Sequence, residues 1–389
     1  MRANGLTGSF WPTDRQKLLL RAAVCGGEES ARAWRRLRPS FDLDALEPES
    51  SALLPLVHRQ LVAAGVQDPL LPKLRGMQQR TWYVNQLTLD RLAPALAAVQ
   101  ECGAEPLVVA GWELPAHYYG DFGVRAVANL ELLVRPEHAG RAEQALVAAG
   151  WTSVSRSRHR ASFEAANGEE CAIHRRLFHE FSGADGSLDT AELWDASAEL
   201  DLKGVAARRL GASDELLHVC VRGARMGRWP THMWLADAMA VLGPAAAEID
   251  WDRVVRSASR LRASLRLRDA LVFLRDELDA PVPDRVVDGL EQVSLQPREL
   301  FAHRATGARW PLVGPAPESL TRFLLATADR NILAALLRLP AFLRDEWSLE
   351  RRSQVPLAAA RKGLARVGSI RGARAQARLR RANGQNVVD

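Results

Sequence analysis

The sequence predicts an α+β protein: a compact unit of strands and short helices set between two helical regions. Three observations predict it. Apolar residues recur every three or four positions from Thr13 to about Gly103. Short, β-branched or alternating segments then run to about Leu177, and helical spacing returns after them. The expected divisions are residues 1–103, 104–180, 181–350 and a basic tail over 351–389.

In the first region, "RQKLLLRAAV", "SARAWRRL", "SALLPLVHRQLVAAGV" and "QQRTWYVNQLTLDRLAPALAAVQECG" read as successive amphipathic helices. Asp14 and Ser50 stand where helix caps are expected. Gly26-Gly27, Pro39 and Pro48 punctuate the chain. The grammar changes at Glu105. "PLVVAG" is a β-branched run closed by Gly111, and "WELPAHYYG" reads as two helical turns with Pro115 in the first. "ANLELLVRP" alternates and stops at Pro136, as a strand does. "EHAGRAEQALVAAG" is a helix ended by Gly150. "WTSVSRSRHRASFEAANGEECAIHRRL" reads as strands, with a hairpin turn expected at Asn167-Gly168. From "ASDELLHVCVRGARMGRW" through "HMWLADAMAVLG", "WDRVVRSASRLRASLRLRDALVFLRDEL" and "TRFLLATADRNILAALLRL" the pattern is helical again, with no internal repeat.

Composition narrows the function classes. The 389 residues are 47% hydrophobic and 25% charged, ordinary values for a globular chain long enough for two or three packed units. No run of eighteen apolar residues suggests a transmembrane segment, and the start lacks a signal-peptide core, so a cytoplasmic location is expected. Cys25, Cys102, Cys171 and Cys220 are far apart and match no zinc spacing. Reduced, mostly buried thiols are expected. Of 52 basic and 46 acidic residues, the segment 351–389 holds ten basic residues and one acid. The rest keeps 42 and 45, so the excess positive charge belongs to the tail. That tail has two functional readings, an amphipathic helix on anionic lipid or an acidic protein and a flexible basic arm for nucleic acid through residues 361–389; a terminal helix with solvated arginines and a frayed end is the plainer reading and is favoured. All but four of the 52 basic residues are arginines, so a lone Arg is weak evidence for a phosphate site.

The chemistry is concentrated in "VAGWELPAHYYGDFGVRAVANLELLVRP", followed by "AAGW", "CAIHRRL", "ELLHVCVR" and "MWLADAM". In order and spacing, over about residues 50–280, these pieces resemble the uncharacterised bacterial nucleotidyltransferase family of the polymerase-β-type superfamily. The resemblance implies a small mixed-sheet nucleotidyltransferase core embedded between the helical regions. It also implies transfer of NMP from an NTP with Mg²⁺ as cofactor. Such chemistry needs two Mg²⁺ ions bridging the phosphates and the attacking oxygen. Two acids at i and i+2 on one strand share a face and can serve that metal pair. A glycine turn opening a helix offers backbone N–H groups to phosphates.

Matched position by position, Gly111 is the glycine turn, and the lysine before it is Ala110. Arg125 is the family arginine, Asn129 replaces the first aspartate and Glu131 the second. The third acid falls on Ala172, two residues before His174. His174, His218, Trp234 and Asp237 match; the histidine expected at 222 is Arg222. The resemblance thus implies Glu131, Asn129 and His174 as catalytic positions. Glu131, Asn129 and Glu170 would be metal ligands, with Gly111, Trp112, Arg125 and Asp237 toward the nucleotide. One carboxylate of three holds Mg²⁺ weakly, because charge count drives affinity for hard cations. Glu170 shares the face of Ala172 and His174 by period two, about 7 Å of strand nearer the hairpin.

Plainer readings stand beside these. His174 can orient a site residue or be a hydrogen-bonded core histidine. Tyr118 and Tyr119 read as packing residues, and Arg222, Arg225 and Arg228 as one solvated helix face. His174, His179 and Glu180 match no metal spacing. The leading expectation is a divergent member with a reduced metal site, binding a nucleotide triphosphate, small metabolite, peptide substrate or partner protein in a biosynthetic pathway. An active metal-dependent transferase to a hydroxyl or phosphate acceptor stays open, as does a purely structural helical scaffold.

Overall fold

The structure, a computed structural model, describes residues 11–178, 190–223, 232–243, 245–295, 299–300, 303, 323, 332–347 and 349–361. The N-terminal helices are α1 (Asp14–Val24), α2 (Gly27–Leu37), α3 (Pro48–Ser51), α4 (Leu54–Ala63) and the long α5 (Leu71–Glu101). The cap of α1 is Thr13, whose hydroxyl and main-chain N–H exchange hydrogen bonds with Gln16; Asp14 is already inside the helix. Ser50 is likewise a buried helical residue and caps nothing.

The strands are β1 (Leu107–Val108), β2 (Asn129–Leu133), β3 (Thr152–Arg156), β4 (Arg160–Glu164), β5 (Glu170–His174), β6 (Ala198–Leu202) and β7 (Val205–Arg209). They form one mixed sheet in the order β3-β4-β5-β2-β1-β7-β6. Between β1 and β2, Leu114–Tyr118 make a single wide turn in which Tyr119 N–H reaches back to the Leu114 carbonyl. Between β2 and β3 lies α6 (Ala139–Ala148). The β4–β5 hairpin turns where expected, but as a longer loop: Ala165 N–H meets the Glu169 carbonyl, and only Gly168 has a left-handed backbone. The two-residue turn with both φ positive, Lys203-Gly204, joins β6 and β7 instead. These two strands lie in the segment expected to be helical, and β7 adds in parallel to β1.

After α7 (Thr190–Asp195) and β6–β7, the chain continues as α8 (Ala212–Gly223), α9 (Met233–Leu242), α10 (Trp251–Arg260), α11 (Ser264–Leu278) and α12 (Asp284–Gln292), with a further helix at Ile332–Glu346. Both helical regions bury one common core. Leu19, Leu20, Trp34 and Leu54 from the first pack with Leu217, Leu235, Leu271 and Leu290 from the second, against Leu107 and Leu133 of the sheet. The other sheet face packs Val108, Leu130 and Leu132 on α5 and α6 through Leu92, Leu96 and Leu146. Alternation along β1 and β2 therefore divides two cores, and α5 spans both, giving Leu74 to one and Leu89 to the other. The Arg225, Arg228, His179 and Glu180 positions and the tail from 362 onward lie outside the described residues.

One α5 side chain sets the approach to β2. Asn85 is fully buried; its amide donates to the Phe122 and Arg125 carbonyls, both at 2.7 Å, and its oxygen accepts from Val127 N–H at 3.0 Å. Each buried main-chain group left without a partner costs about 1–3 kcal/mol. Asn85→Ala is expected to lower unfolding free energy by about 3 kcal/mol or more in urea titration. A loss below 1 kcal/mol would mean that the loop before β2 is held by other contacts.

Candidate functional site

β2 carries Asn129, Glu131 and Leu133 on one face. Their β5 partners in register are Glu170, Ala172 and His174, and those of β5 in β4 are Glu164, Ser162 and Arg160. Side chains paired across strands share a face. The site is therefore a three-strand patch with Glu131, Ala172 and Ser162 in its middle row. His174 and Arg160 stand on one side of that row, and Asn129 and Glu170 on the other.

Glu131 is 5% exposed. Its Oε1 accepts from Asn129 Nδ2 at 2.5 Å and from the Arg160 guanidinium at 3.3 Å, while Oε2 meets His174 Nε2. Burial alone would raise its pKa. The hydrogen bond and charge of His174, then the charges of Arg160 and Arg222, outweigh burial and pull it down to about 2. Glu131 is thus ionised and already compensated. Asn129 offers it an N–H, and Glu170 is exposed beside Asn129 rather than beside Glu131. Mg²⁺ wants several free hard oxygens in octahedral array. Here one carboxylate is spent on internal partners, and the guanidiniums around it repel a cation. Among the described residues no three His, Cys, Asp or Glu side chains converge on a metal position. The donor set does not fit a magnesium pair.

The glycine turn lies beside a second ionic group. Ala110 has φ +63, a left-handed conformation that L-residues with a Cβ adopt at a cost. Gly111 lies so close to β2 that an added Cβ would stand 3.0 Å from the Val127 side chain. The Gly111 N–H donates to both carboxylate oxygens of Glu113, at 2.9 and 3.0 Å. Glu113 is fully buried. An internal carboxylate thus takes the amide that the resemblance assigns to a phosphate.

Arg125 forms a forked ion pair with Asp237 of α9, with N···O distances of 3.0, 3.3 and 3.0 Å, and Tyr119 donates its hydroxyl proton to the same carboxylate at 3.0 Å. Arg209, buried at the end of β7, donates to the Tyr118 hydroxyl at 3.2 Å. Trp112 is fully buried in the core on the far side of the sheet, away from Glu131, so it cannot stack on a ligand there. The structure therefore brings together Asn129, Glu131 and His174, and separately Gly111, Arg125 and Asp237. Sequence reading missed Arg160 and Ser162 on the sheet face, and Glu113, Glu215 and Arg209 in the buried group. Glutamates inside the apolar runs "AGWEL" and "DELLHV" were the available signal.

Glu215 of α8 completes the buried group. It is fully buried, and among the described residues neither carboxylate oxygen has a hydrogen-bond partner. Burial first, then the charges of Glu113 and Asp237, raise its pKa well above the ordinary value; Arg209 and Arg125 offset only part of that. Burial raises the pKa of Glu113 as well, and with three carboxylates facing two guanidiniums one proton held between Glu215 and Glu113 balances the group.

A folded-state pKa raised above 4.5 means stability that is fully present below 4.5 and lost as pH rises through the folded value. Glu215→Gln keeps the shape without the charge. In urea unfolding at stepped pH, the variant is expected to gain on the wild type as pH rises above 4.5. A constant difference across pH would mean that Glu215 is charged in the fold.

None of the curated proteins matches the chain. Among the described residues no helix is long and apolar enough to cross a membrane. The model of one family, described as uncharacterised nucleotidyltransferase, matches residues 49–278, more than half of the sequence. That span contains the whole sheet, the glycine turn and both ionic groups, and by it the chain belongs to this nucleotidyltransferase family.

Proposed function

We propose that this protein uses the nucleotidyltransferase fold for binding rather than for metal-dependent transfer. In this reading it engages a nucleotide, a metabolite, or a peptide substrate or partner in a biosynthetic pathway. One observation carries the reading: the carboxylate kept on the metal strand, Glu131, is buried and neutralised by Asn129, His174 and Arg160 of the same chain. The pairs Gly111–Glu113 and Arg125–Asp237 support it, because they occupy groups that would otherwise meet phosphate charge. With Glu131 engaged in this way, it is not offered to a metal ion that would activate an acceptor hydroxyl. Glu131 instead orients His174 and Arg160.

Titration calorimetry of ATP, with and without Mg²⁺, tests this. Any affinity is expected to be indifferent to the metal, and no NMP transfer should accompany it. Metal-dependent turnover abolished by Glu131→Ala would overturn the reading.

A second expectation follows from the role of Glu131 as a counter-ion. Its pKa is lowered from 4.5 to about 2, so its contribution is present above pH 4.5 and lost as pH falls toward 2. Glu131→Gln should cost about 3 kcal/mol of unfolding free energy at pH 7, shrinking as acid is added. An equally stable variant at pH 7 would show that the network contributes nothing.

A further inference from the structure

The middle row of the sheet face has an unusual composition. Ala172, at the third-acid position, is flanked in register by Glu131 on one side and Ser162 on the other. Ala172 is buried but belongs to neither apolar core; polar side chains surround it. The Ser162 hydroxyl is buried and, among the described residues, has no hydrogen-bond partner. A buried hydroxyl without a partner costs free energy, so this one is a donor awaiting an acceptor.

Toward the Arg160 side of the row the charges have the wrong sign for a metal site. The buried Glu131 supplies one negative charge there, against the guanidiniums of Arg160 and Arg222 and the imidazole of His174, while the exposed Glu164 and Glu170 lie one row away on the other side. Arg160 is held to Glu131 by one nitrogen at 3.3 Å, and its side chain is 38% exposed. A guanidinium has five N–H donors in a rigid fork, so most of its donor capacity remains for a ligand. Arg222 is exposed at the end of α8, close enough for its charge to act on Glu131. Arg158 and Arg176 stand beside the same end of β4 and β5, where Arg175 N–H meets the His159 carbonyl. Arg156 and Arg175 are already committed to the buried Glu143.

We propose that this patch is an anion site that takes the phosphate or pyrophosphate group of a ligand through Arg160, Arg222 and Ser162, with no metal ion. The guanidiniums supply the positive charge that two cations would supply elsewhere. Glu131 is a positioning residue, fixing Arg160 so that its fork faces outward. The inference rests on the binding reading above and adds its ligand chemistry. Fork-to-phosphate bonds are charge-assisted and directional.

The test is binding of inorganic pyrophosphate to the full chain in EDTA, by calorimetry at two salt concentrations. Binding is expected in EDTA and should weaken with salt. Arg160→Gln and Arg222→Gln should each weaken it about tenfold to a hundredfold, and Ser162→Ala by several-fold. Circular dichroism checks that each variant is folded. Arg75→Gln, an exposed arginine on α5, should have no effect. An equal loss in Arg75→Gln would reduce the effect to general charge attraction and overturn the proposal. Absence of binding in EDTA and in Mg²⁺ alike would overturn it while leaving the binding reading intact. Binding that requires Mg²⁺ and disappears in Glu131→Ala would overturn both.

Discussion

The forked pair between Arg125 and Asp237 is the contact on which the architecture turns. Arg125 belongs to the loop that feeds β2, and Asp237 to the helix α9 of the C-terminal shell. The pair therefore ties the sheet to the helices that cover it. Both groups are largely buried, and removing one partner from such a pair costs about 3–5 kcal/mol, because the other is left charged without compensation. Tyr119 adds a third donor-acceptor link to the same carboxylate. With Arg125 engaged there, Arg209 and Arg125 offset only part of the remaining negative charge of Glu113 and Glu215, and a proton settles on the group. Asn85 completes the arrangement from behind by taking up the carbonyl of Arg125. The side chain and backbone of one residue thus fix β2 relative to both cores.

A site meant for two divalent cations carries an excess of negative charge that the metals cancel. In this chain Glu131 on the sheet face is balanced internally, by His174 and Arg160. Beside the glycine turn the Gly111 amide offsets only part of the cost of burying Glu113, whose pKa is raised. Ala172 and Asn129 carry no charge, and the stability of the sheet comes from the apolar faces on both its sides.

Much of this was legible in the sequence. The strand "NLELL" alternates because its even positions, Leu130 and Leu132, face one core, and the helix before β3 stops at Gly150, whose φ of +88 requires no Cβ. The pairing of Asn129, Glu131 and His174 followed from period-two spacing and from the order of motifs. β6 and β7 were missed, although Lys203-Gly204 is a good turn, because "AELDL" and "VAARR" are short and carry few β-branched residues. Their burial comes from α5 and from β1, partners roughly a hundred residues away. The partner of Glu131 on β4 was out of reach for a like reason, since it stands 29 residues away. Nothing local in "HRAS" announces that Arg160 lies across from His174; only the register of β4 on β5 does. Thr13 outranked Asp14 as a cap because its hydroxyl and Gln16 close a reciprocal pair, which depends on one residue of phase.

The common core has a consequence for how the chain is made. Lys17 and Arg21 of α1 close on Glu277 and Asp279, at the far end of α11. At translation rates of about 5–20 residues per second, that partner leaves the ribosome roughly 13–50 s after α1 does. Until then the apolar face of α1 and α2, with Leu19, Leu20 and Trp34, has only its N-terminal neighbours for shelter. The sheet meets the same delay, since β7 reaches β1 only after about a hundred further residues. Synthesis rate and chaperone supply, more than final stability, would then set how much of this protein reaches its native state.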